Sequence, residues 1–484
     1  MSGFGVISLE AAVVASGLAV LLLGLWAPPE HKHRLGYAAA AALGLIFLGS
    51  FAITLPEARA AFGGMYLLDE LALFFKRFFL VAGLLVLLLS VEFADRFDAG
   101  PAEFYALVLF AVAGMMFAAS ANDFCLLFVS LELITVTFYV LTSFQRGRAR
   151  SLEAGVKYLV LGAVASAFLV YGIALVYGGA GTLNFTQLAA TATTASPTSG
   201  LVSLGLLLVF AGLAFKIAAV PFQVWAPDVY QGAPAPATAF LAVGSKAAGF
   251  VLLLRVLHLA APSVTVHWTK LLAVVAALTI LYGNLCAIPQ RNLKRLLGYS
   301  SIAHAGYLLL GVTAWSADGA AAILYYLSGY LFTMIAAFAV ICVGLRGVED
   351  EDLGALAGLH RRSPLLGASL ALAMVSLAGV PPLAGFFGKF LLLKSVVARA
   401  GAIPGAYVLL GVALVGIVIS LYYYFGVIRA IYWLPAAQDV SAIEVRWPMR
   451  WLLYACIAGM LWLGIFPSGV VNLAGHAVRV TLRL

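Results

Sequence analysis

A few ionisable side chains stand inside long apolar stretches, and their types suit the handling of protons. Glu132, in FVSLELITVTFYVLTS, is the only acidic residue in the middle of any such stretch. Lys216 and Lys246 lie deep in theirs, roughly ten residues from an expected helix end. A charge held in lipid is costly, so residues of this kind face an internal cavity and mark an ion path. Helical spacing puts Thr135, Tyr139 and Thr142 on the face of Glu132, a polar stripe able to bind water. A permanent ion pair between Glu132 and one lysine would account for the same residues. Small residues flank both lysines, Gly212 and Ala219 around Lys216, Ala242 and Gly249 around Lys246. They leave room either for water or for a tightly packed helix.

In NLKRLLGYSSIAHAGY, Lys294 and His304 lie about 15 Å apart along one helix at 1.5 Å per residue, with Ser300 and Ser301 between them. Histidine titrates near neutral pH and a hydroxyl both donates and accepts, so the stretch suits a proton relay. A lone membrane histidine serves equally well as a packing residue. Glu153 and Lys157 stand at i and i+4 in the favourable order, and an interfacial ion pair explains them. Lys76, Arg77 and Arg255 are expected to snorkel to a membrane interface.

Two interruptions position the lysines. Pro221 breaks KIAAVPFQVWAPDVY, and Pro381 with Pro382 breaks LAGVPPLAGFFGKF, each beside a lysine, Lys216 and Lys389. Proline removes a backbone donor and frees carbonyls that in lipid must find another partner, so broken spans imply a polar cavity. The breaks lie 160 residues and five spans apart, which makes spans 4 to 8 and 9 to 13 two copies of one unit. Five is odd, so the copies insert in opposite senses, the inverted-repeat pattern of secondary transporters. Two unrelated proline kinks would leave the same breaks.

These spans dominate the chain. Of 484 residues, 64% are hydrophobic and 10% charged, against roughly 25% charged in soluble domains, and the mean hydropathy is +1.07. A soluble protein is excluded. Fourteen apolar runs, beginning near residues 6, 35, 70, 103, 123, 152, 200, 235, 270, 294, 320, 365, 405 and 450, are long enough to cross a bilayer. The fold class is therefore an all-α polytopic membrane protein, and the first run is read as a retained span. Loops on the side opposite the termini hold 15 basic residues, among them Arg146, Arg148 and Arg150. The terminus side holds five, Arg59, Lys270, Arg399, Arg479 and Arg483. The positive-inside rule then puts both termini outside the cytoplasm. The net charge of +8 is scattered through these loops rather than gathered on one face, so no nucleic-acid partner is expected. Cys125, Cys286, Cys342 and Cys456 have no metal-ligand spacing and read as small core residues, and His31 with His33 lack further ligands, so no metal is expected. No GxGxxG, Walker or HExxH string occurs, so any electron or hydride chemistry belongs to a partner.

At the level of whole motifs the chain resembles the subunit N family of bacterial proton-pumping NADH:quinone oxidoreductases, respiratory complex I, whose mitochondrial counterpart is NADH dehydrogenase subunit 2. The likeness spans nearly the whole chain. It is carried by SLEAGVKY at 151–158, WAPDVYQGAPAP at 225–236, NLKRLLGYSSIAHAGY at 292–307 and AGVPPLAGFFGKF at 378–390. The resemblance implies 14 helices, inverted repeats and broken helices 7 and 12. It divides the chain into helices 1–3 (1–102), a first repeat (103–262), a second repeat (263–432) and helix 14 with the tail (433–484). By motif position the family's helix-5 glutamate is Glu132, its helix-7 lysine Lys216, its helix-8 lysine Lys246 and its helix-12 lysine Lys389, with Lys394 a competitor. Lys294, His304, Lys157, Glu153 and Lys394 form a secondary path. Lysine at 389 and the short tail favour the N type over its M and L sisters.

The resemblance further implies a multi-pass protein of the bacterial inner membrane with no cofactor of its own. FMN, iron–sulfur clusters and quinone, ubiquinone or menaquinone, lie in partner subunits. The neighbours are M-type and K/J-type membrane subunits and, through them, the peripheral arm. In the implied mechanism, Glu132 holds a proton on Lys216 while the two are close; when Glu132 is drawn away the proton moves to Lys246 and on past Lys294 and His304 to Lys389. An Mrp-like cation/proton antiporter subunit, a membrane-bound hydrogenase subunit and a structural scaffold share the same helices and stay open at this point.

Overall fold

The computed structural model describes residues 5–482 apart from 56, 98–99, 192–198, 261, 349 and 436–440. Arg483 of the basic-residue count lies outside them. The first helices are α1 (Ser8–Trp26), α2 (Lys32–Gly49), α3 (Glu70–Phe93), α4 (Pro101–Ala119), α5 (Phe124–Thr142), α6 (Ala149–Ala180) and the short α7 (Phe185–Thr191). A short two-stranded antiparallel hairpin, β1 (Arg59–Ala61) and β2 (Tyr66–Leu68), precedes α3 in an otherwise all-α polytopic chain. The chain continues with α8 (Ser199–Ile217), α9 (Ala226–Gly232), α10 (Ala235–Phe240), α11 (Lys246–Arg255), α12 (Pro262–Ala287), α13 (Leu293–Thr313) and α14 (Ala317–Gly344). It ends with α15 (Leu359–Arg362), α16 (Pro364–Ala378), α17 (Ala384–Ala398), α18 (Ala406–Tyr432), α19 (Trp447–Ile465) and α20 (Ser468–Leu482).

Among the described residues, 13 helical segments are long and apolar enough to cross a membrane. The region expected as the twelfth run is two shorter helices, α16 and α17. Side-chain oxygens start several helices by accepting from the orphan amides of the first turn, Asp69 from Ala72, Asp123 from Cys125, Asn292 from Arg295 and Ser316 from Gly319. The most apolar 18-residue stretch within 235–260 is wholly buried and that within α13 is 94% buried, whereas that within α6 is only 28% buried. Lys246, Lys294 and His304 therefore sit on the most enclosed helices, and α6, α18 and α19 present the outer apolar faces. The tail is not a mere extension of the last span. It turns back as α20, which packs on α3 and α14, and Thr481 Oγ1 accepts from the Leu71 amide at 3.3 Å.

Two expectations are corrected in the packing of α3. Lys76 and Arg255 do not snorkel, since each is fully buried. Lys76 Nζ lies 2.8 Å from Glu10 Oε1, and Arg255 Nη2 donates to both Asp69 oxygens at 2.7 and 2.9 Å. Tyr66 adds its hydroxyl to Glu10 at 2.9 Å. Both acids come from segment starts, Glu10 in the first turn of α1 and Asp69 at the N-cap of α3. Arg77 alone behaves as expected, half-buried with its guanidinium over the Phe51 ring at 4.4 Å. Cys125 is likewise exposed rather than in the core.

A buried cation stripped of its counterion is left uncompensated. Glu10→Leu should therefore cost about 3–5 kcal/mol, and the double variant Glu10→Leu/Lys76→Met should recover most of it. Thermal unfolding of the purified protein checks this, and equal losses in the single and double variants would contradict it.

Candidate functional site

The two breaks have the same local construction. At the first, Ala218 takes a left-handed φ of 59°, Ala219 N–H donates to Ala214 O at 2.9 Å and Phe222 N–H to Ala219 O at 2.7 Å. At the second, Gly379 takes φ 84°, Val380 N–H donates to Val375 O at 3.2 Å and Leu383 N–H to Val380 O at 3.3 Å. Each residue of the second set lies 161 positions after its counterpart, 219 to 380 and 222 to 383. Pro221 thus matches Pro382 rather than Pro381, and both follow cis peptide bonds. The lysines are not equivalent. At this offset Lys389 falls opposite Asp228, and Lys216 opposite Leu377. Lys216 precedes its break and Lys389 follows its own.

Lys216 is 5% exposed at the end of α8, and its ammonium donates to Thr135 Oγ1 on α5 at 2.9 Å. Glu132, one turn earlier on α5, is half-buried and accepts from Ser166 Oγ of α6 at 2.5 Å. Among the described residues Glu132 has no ion-pair partner, so the permanent Glu132–lysine pair is absent from this arrangement. Of the stripe on α5, Thr135 alone reaches a lysine; Thr142 bonds back to Phe138 O at 2.8 Å. The small residues serve packing as well as space. Gly249 lies against Ile217, where an added Cβ would stand 2.6 Å from Ile217 Cγ2 and 3.5 Å from the Lys216 stem.

Lys246 opens α11 directly after a π-helical turn, Leu241–Ser245. Its ammonium donates to Ser301 of α13, at both the hydroxyl and the carbonyl, and Ser301 Oγ also meets Tyr230 OH at 2.8 Å. The lysine of one unit is thereby attached to the histidine-bearing helix of the other. His304 is 3% exposed and bridges two tyrosines, Nε2 to Tyr424 OH at 2.9 Å and Nδ1 to Tyr326 OH. Ser300 closes the set on Tyr424 OH at 2.5 Å. Tyr326 packs on Gly388, the neighbour of Lys389. Lys389 itself turns back on the second break and donates to Leu377 O at 2.8 Å and Ala378 O at 3.0 Å, the carbonyls the helix end leaves free. Its competitor Lys394 is exposed, in a cavity with Asp318, His476 and Arg479.

The remaining expected residues fall away from this line. Lys294 is paired with Glu351 at 3.0 Å. Lys157 holds Glu153 at 2.6 Å and Asp228 at 2.7 Å, and Asp228 also takes Arg295 at 2.5 Å. Sequence reasoning missed Ser166, Tyr326, Tyr424, Asp228 and Glu351. Asp228 was visible inside WAPDVYQGAPAP, but the tyrosines look like ordinary core aromatics. Among the described residues no group of three or more His, Cys, Asp or Glu could hold a metal.

Broken helices around buried lysines, enclosed by apolar spans, define an antiporter-like polytopic membrane protein. The family described as NADH:quinone oxidoreductase/Mrp antiporter, transmembrane, matches residues 121–420. NADH-quinone oxidoreductase subunit N of Moorella thermoacetica is 40% identical over 98% of this chain and 98% of its own. The subunit N of Rhodospirillum rubrum is 38% identical over 97% and 96%. A chain of respiratory complex I from Thermus thermophilus is 36% identical, with a TM-score of 0.79 over 96% of this chain and 99% of that one. A chain of the Mrp complex from Dietzia sp. has a TM-score of 0.87 over 99% of each chain at 20% identity, a likeness of fold alone. The chain belongs to the subunit N family of NADH-quinone oxidoreductases.

Gly249→Val should force Ile217 and the Lys216 stem aside and destabilise the protein by about 1–3 kcal/mol, the usual cost of overpacking. Thermal scanning of the assembled complex measures it, and an unchanged midpoint would show that α8 and α11 have slack at this contact.

Proposed function

We propose that the chain is the membrane-arm subunit of a proton-translocating NADH:quinone oxidoreductase, and that Glu132, Lys216, Lys246 and Lys389 carry protons across its interior. NADH oxidation and quinone reduction take place in partner subunits, which hold FMN, iron–sulfur clusters and quinone; M-type and K/J-type subunits are its membrane neighbours. The observation that carries this reading is the attachment of Lys246 to Ser301, which ties the buried lysine of the first unit to the helix that bears His304 in the second.

The chain has 14 spans, counting α8 with α9 and α16 with α17 as broken helices 7 and 12. The repeats run over 103–262 and 263–432, inverted relative to each other, between helices 1–3 (1–102) and helix 14 with the tail (433–484). The common construction of the two breaks supports this division. Both termini face the periplasm of a bacterial inner membrane, in keeping with the basic loops on the other side.

In the proposed cycle, Glu132 approaches Lys216 and its charge holds a proton there. A neighbouring charge then draws Glu132 towards Ser166, and the proton leaves for Lys246. Ser301 holds Lys246, and its neighbour Ser300 meets Tyr424, which meets His304; these groups can each give and take a proton, which suits passage towards Lys389. Moving one charge through 100 mV costs about 2.3 kcal/mol, and redox chemistry outside the chain supplies it. Lys157, Glu153 and Lys394 are left to the surface network and the outer cavity.

Lys216→Ala and Lys246→Ala, in complexes that still assemble, should depress both proton pumping and coupled quinone reduction in proteoliposomes. Full pumping in both variants would sink the proposal. Glu132→Ala should lower turnover per assembled complex, and normal turnover would leave Glu132 only a packing role.

A further inference from the structure

A second charged feature leads from the basic-loop face to the line of lysines. The loop after α14 crosses the start of α13 and is fixed there by backbone bonds, Leu293 N–H to Glu351 O at 2.7 Å and Leu353 N–H to Arg291 O at 2.8 Å, with Asn292 bridged to Asp352. Arg150 of α6 pairs with Asp350 and holds its carboxyl below the usual carboxylate range. The next residue, Glu351, turns inward. Its carboxylate meets Lys294 at 3.0 Å, with the glutamate side chain 12% and the lysine 3% exposed. The pair lines a cavity of about 250 Å³ together with Arg96, Gln145, Arg148 and Phe93.

We propose that Glu351 and Lys294 form a proton-uptake site that feeds Ser301 and Lys246 from this cavity, an inference that rests on the proton role given above. Lys294 and Ser301 are seven residues apart on α13, two turns, so they share a face about 10 Å apart. Ser301 already holds the Lys246 ammonium. Two helical turns thus separate the cavity floor from the proposed axis. Among the described residues of the lining, three cations, Arg96, Arg148 and Lys294, stand against one carboxylate. A net positive wall repels sodium, while a proton can ride on Glu351 itself.

The step balances. Glu351 takes a proton from water in the cavity and its ion pair with Lys294 breaks. The Lys294 ammonium passes its own proton through water towards Ser301 and becomes neutral. The Glu351 carboxyl then reprotonates Lys294, which restores the pair and leaves one proton moved inward.

The test uses the assembled complex in proteoliposomes, in a Cys125→Ala background, with Lys246→Ala as reference. Glu351→Gln should slow proton uptake and coupled quinone reduction about tenfold or more, and Glu351→Asp should restore most of it. Glu351→Cys should be equally slow and regain activity when a carboxylate-bearing thiol reagent is attached, but not a neutral one of the same size. Glu351→Gln with normal pumping beside an inactive Lys246→Ala would overturn this inference alone. Full pumping in Lys246→Ala would overturn the role of Lys246 on which this inference rests. If Glu351→Gln does not assemble, the cysteine variant decides, and rescue by the neutral reagent, or by neither, counts against the site.

Discussion

An ammonium in an apolar interior must be given oxygen, and the kind of oxygen it receives sorts the buried cations of this protein. Lys76, Arg255 and Lys294 are matched to carboxylates, from Glu10, Asp69 and Glu351. Among the described residues, Lys216, Lys246 and Lys389 receive only hydroxyls and carbonyls as hydrogen-bond partners, from Thr135, Ser301, Leu377 and Ala378. A full counter-charge fixes a proton in place. A neutral oxygen solvates the ammonium without forbidding its loss. The first set therefore suits anchoring and the border with water, and the second suits carriage.

The fold follows from supplying those neutral oxygens where a regular helix has none to spare. Carbonyls inside a helix are already bonded, so Lys389 finds its partners at a helix end made by Gly379 and the prolines after it. Lys216 sits just before the other break and uses a threonine on the adjacent helix instead. Lys246 follows a π-helical turn, which shifts the register of its helix and turns its ammonium towards α13. The enclosing spans keep lipid from all three.

Much of this was legible in the sequence because lipid makes charge conspicuous. The spans, both breaks and the buried lysines stand out against a chain with so few charges. Partnerships across long separations did not. Glu10 lies 66 residues before Lys76, and Asp69 lies 186 before Arg255, so both lysine and arginine looked like snorkelling residues. Ser166, Tyr326 and Tyr424 carry no charge and are common in membrane helices, and only folding shows that they meet Glu132 and His304. The breaks repeat at 161 positions while the lysines do not, since a sequence pattern records proximity to a proline and not the side of it.

The distinction between charged and neutral partners can be tested at a single atom. Ser301→Asp gives Lys246 a fixed counter-charge where it now has a hydroxyl, and Ser301→Asn gives a neutral oxygen of the same reach. Proton pumping per NADH oxidised, measured on assembled complexes in proteoliposomes, should collapse in the aspartate variant and largely survive in the asparagine variant. Equal pumping in the two would contradict the account.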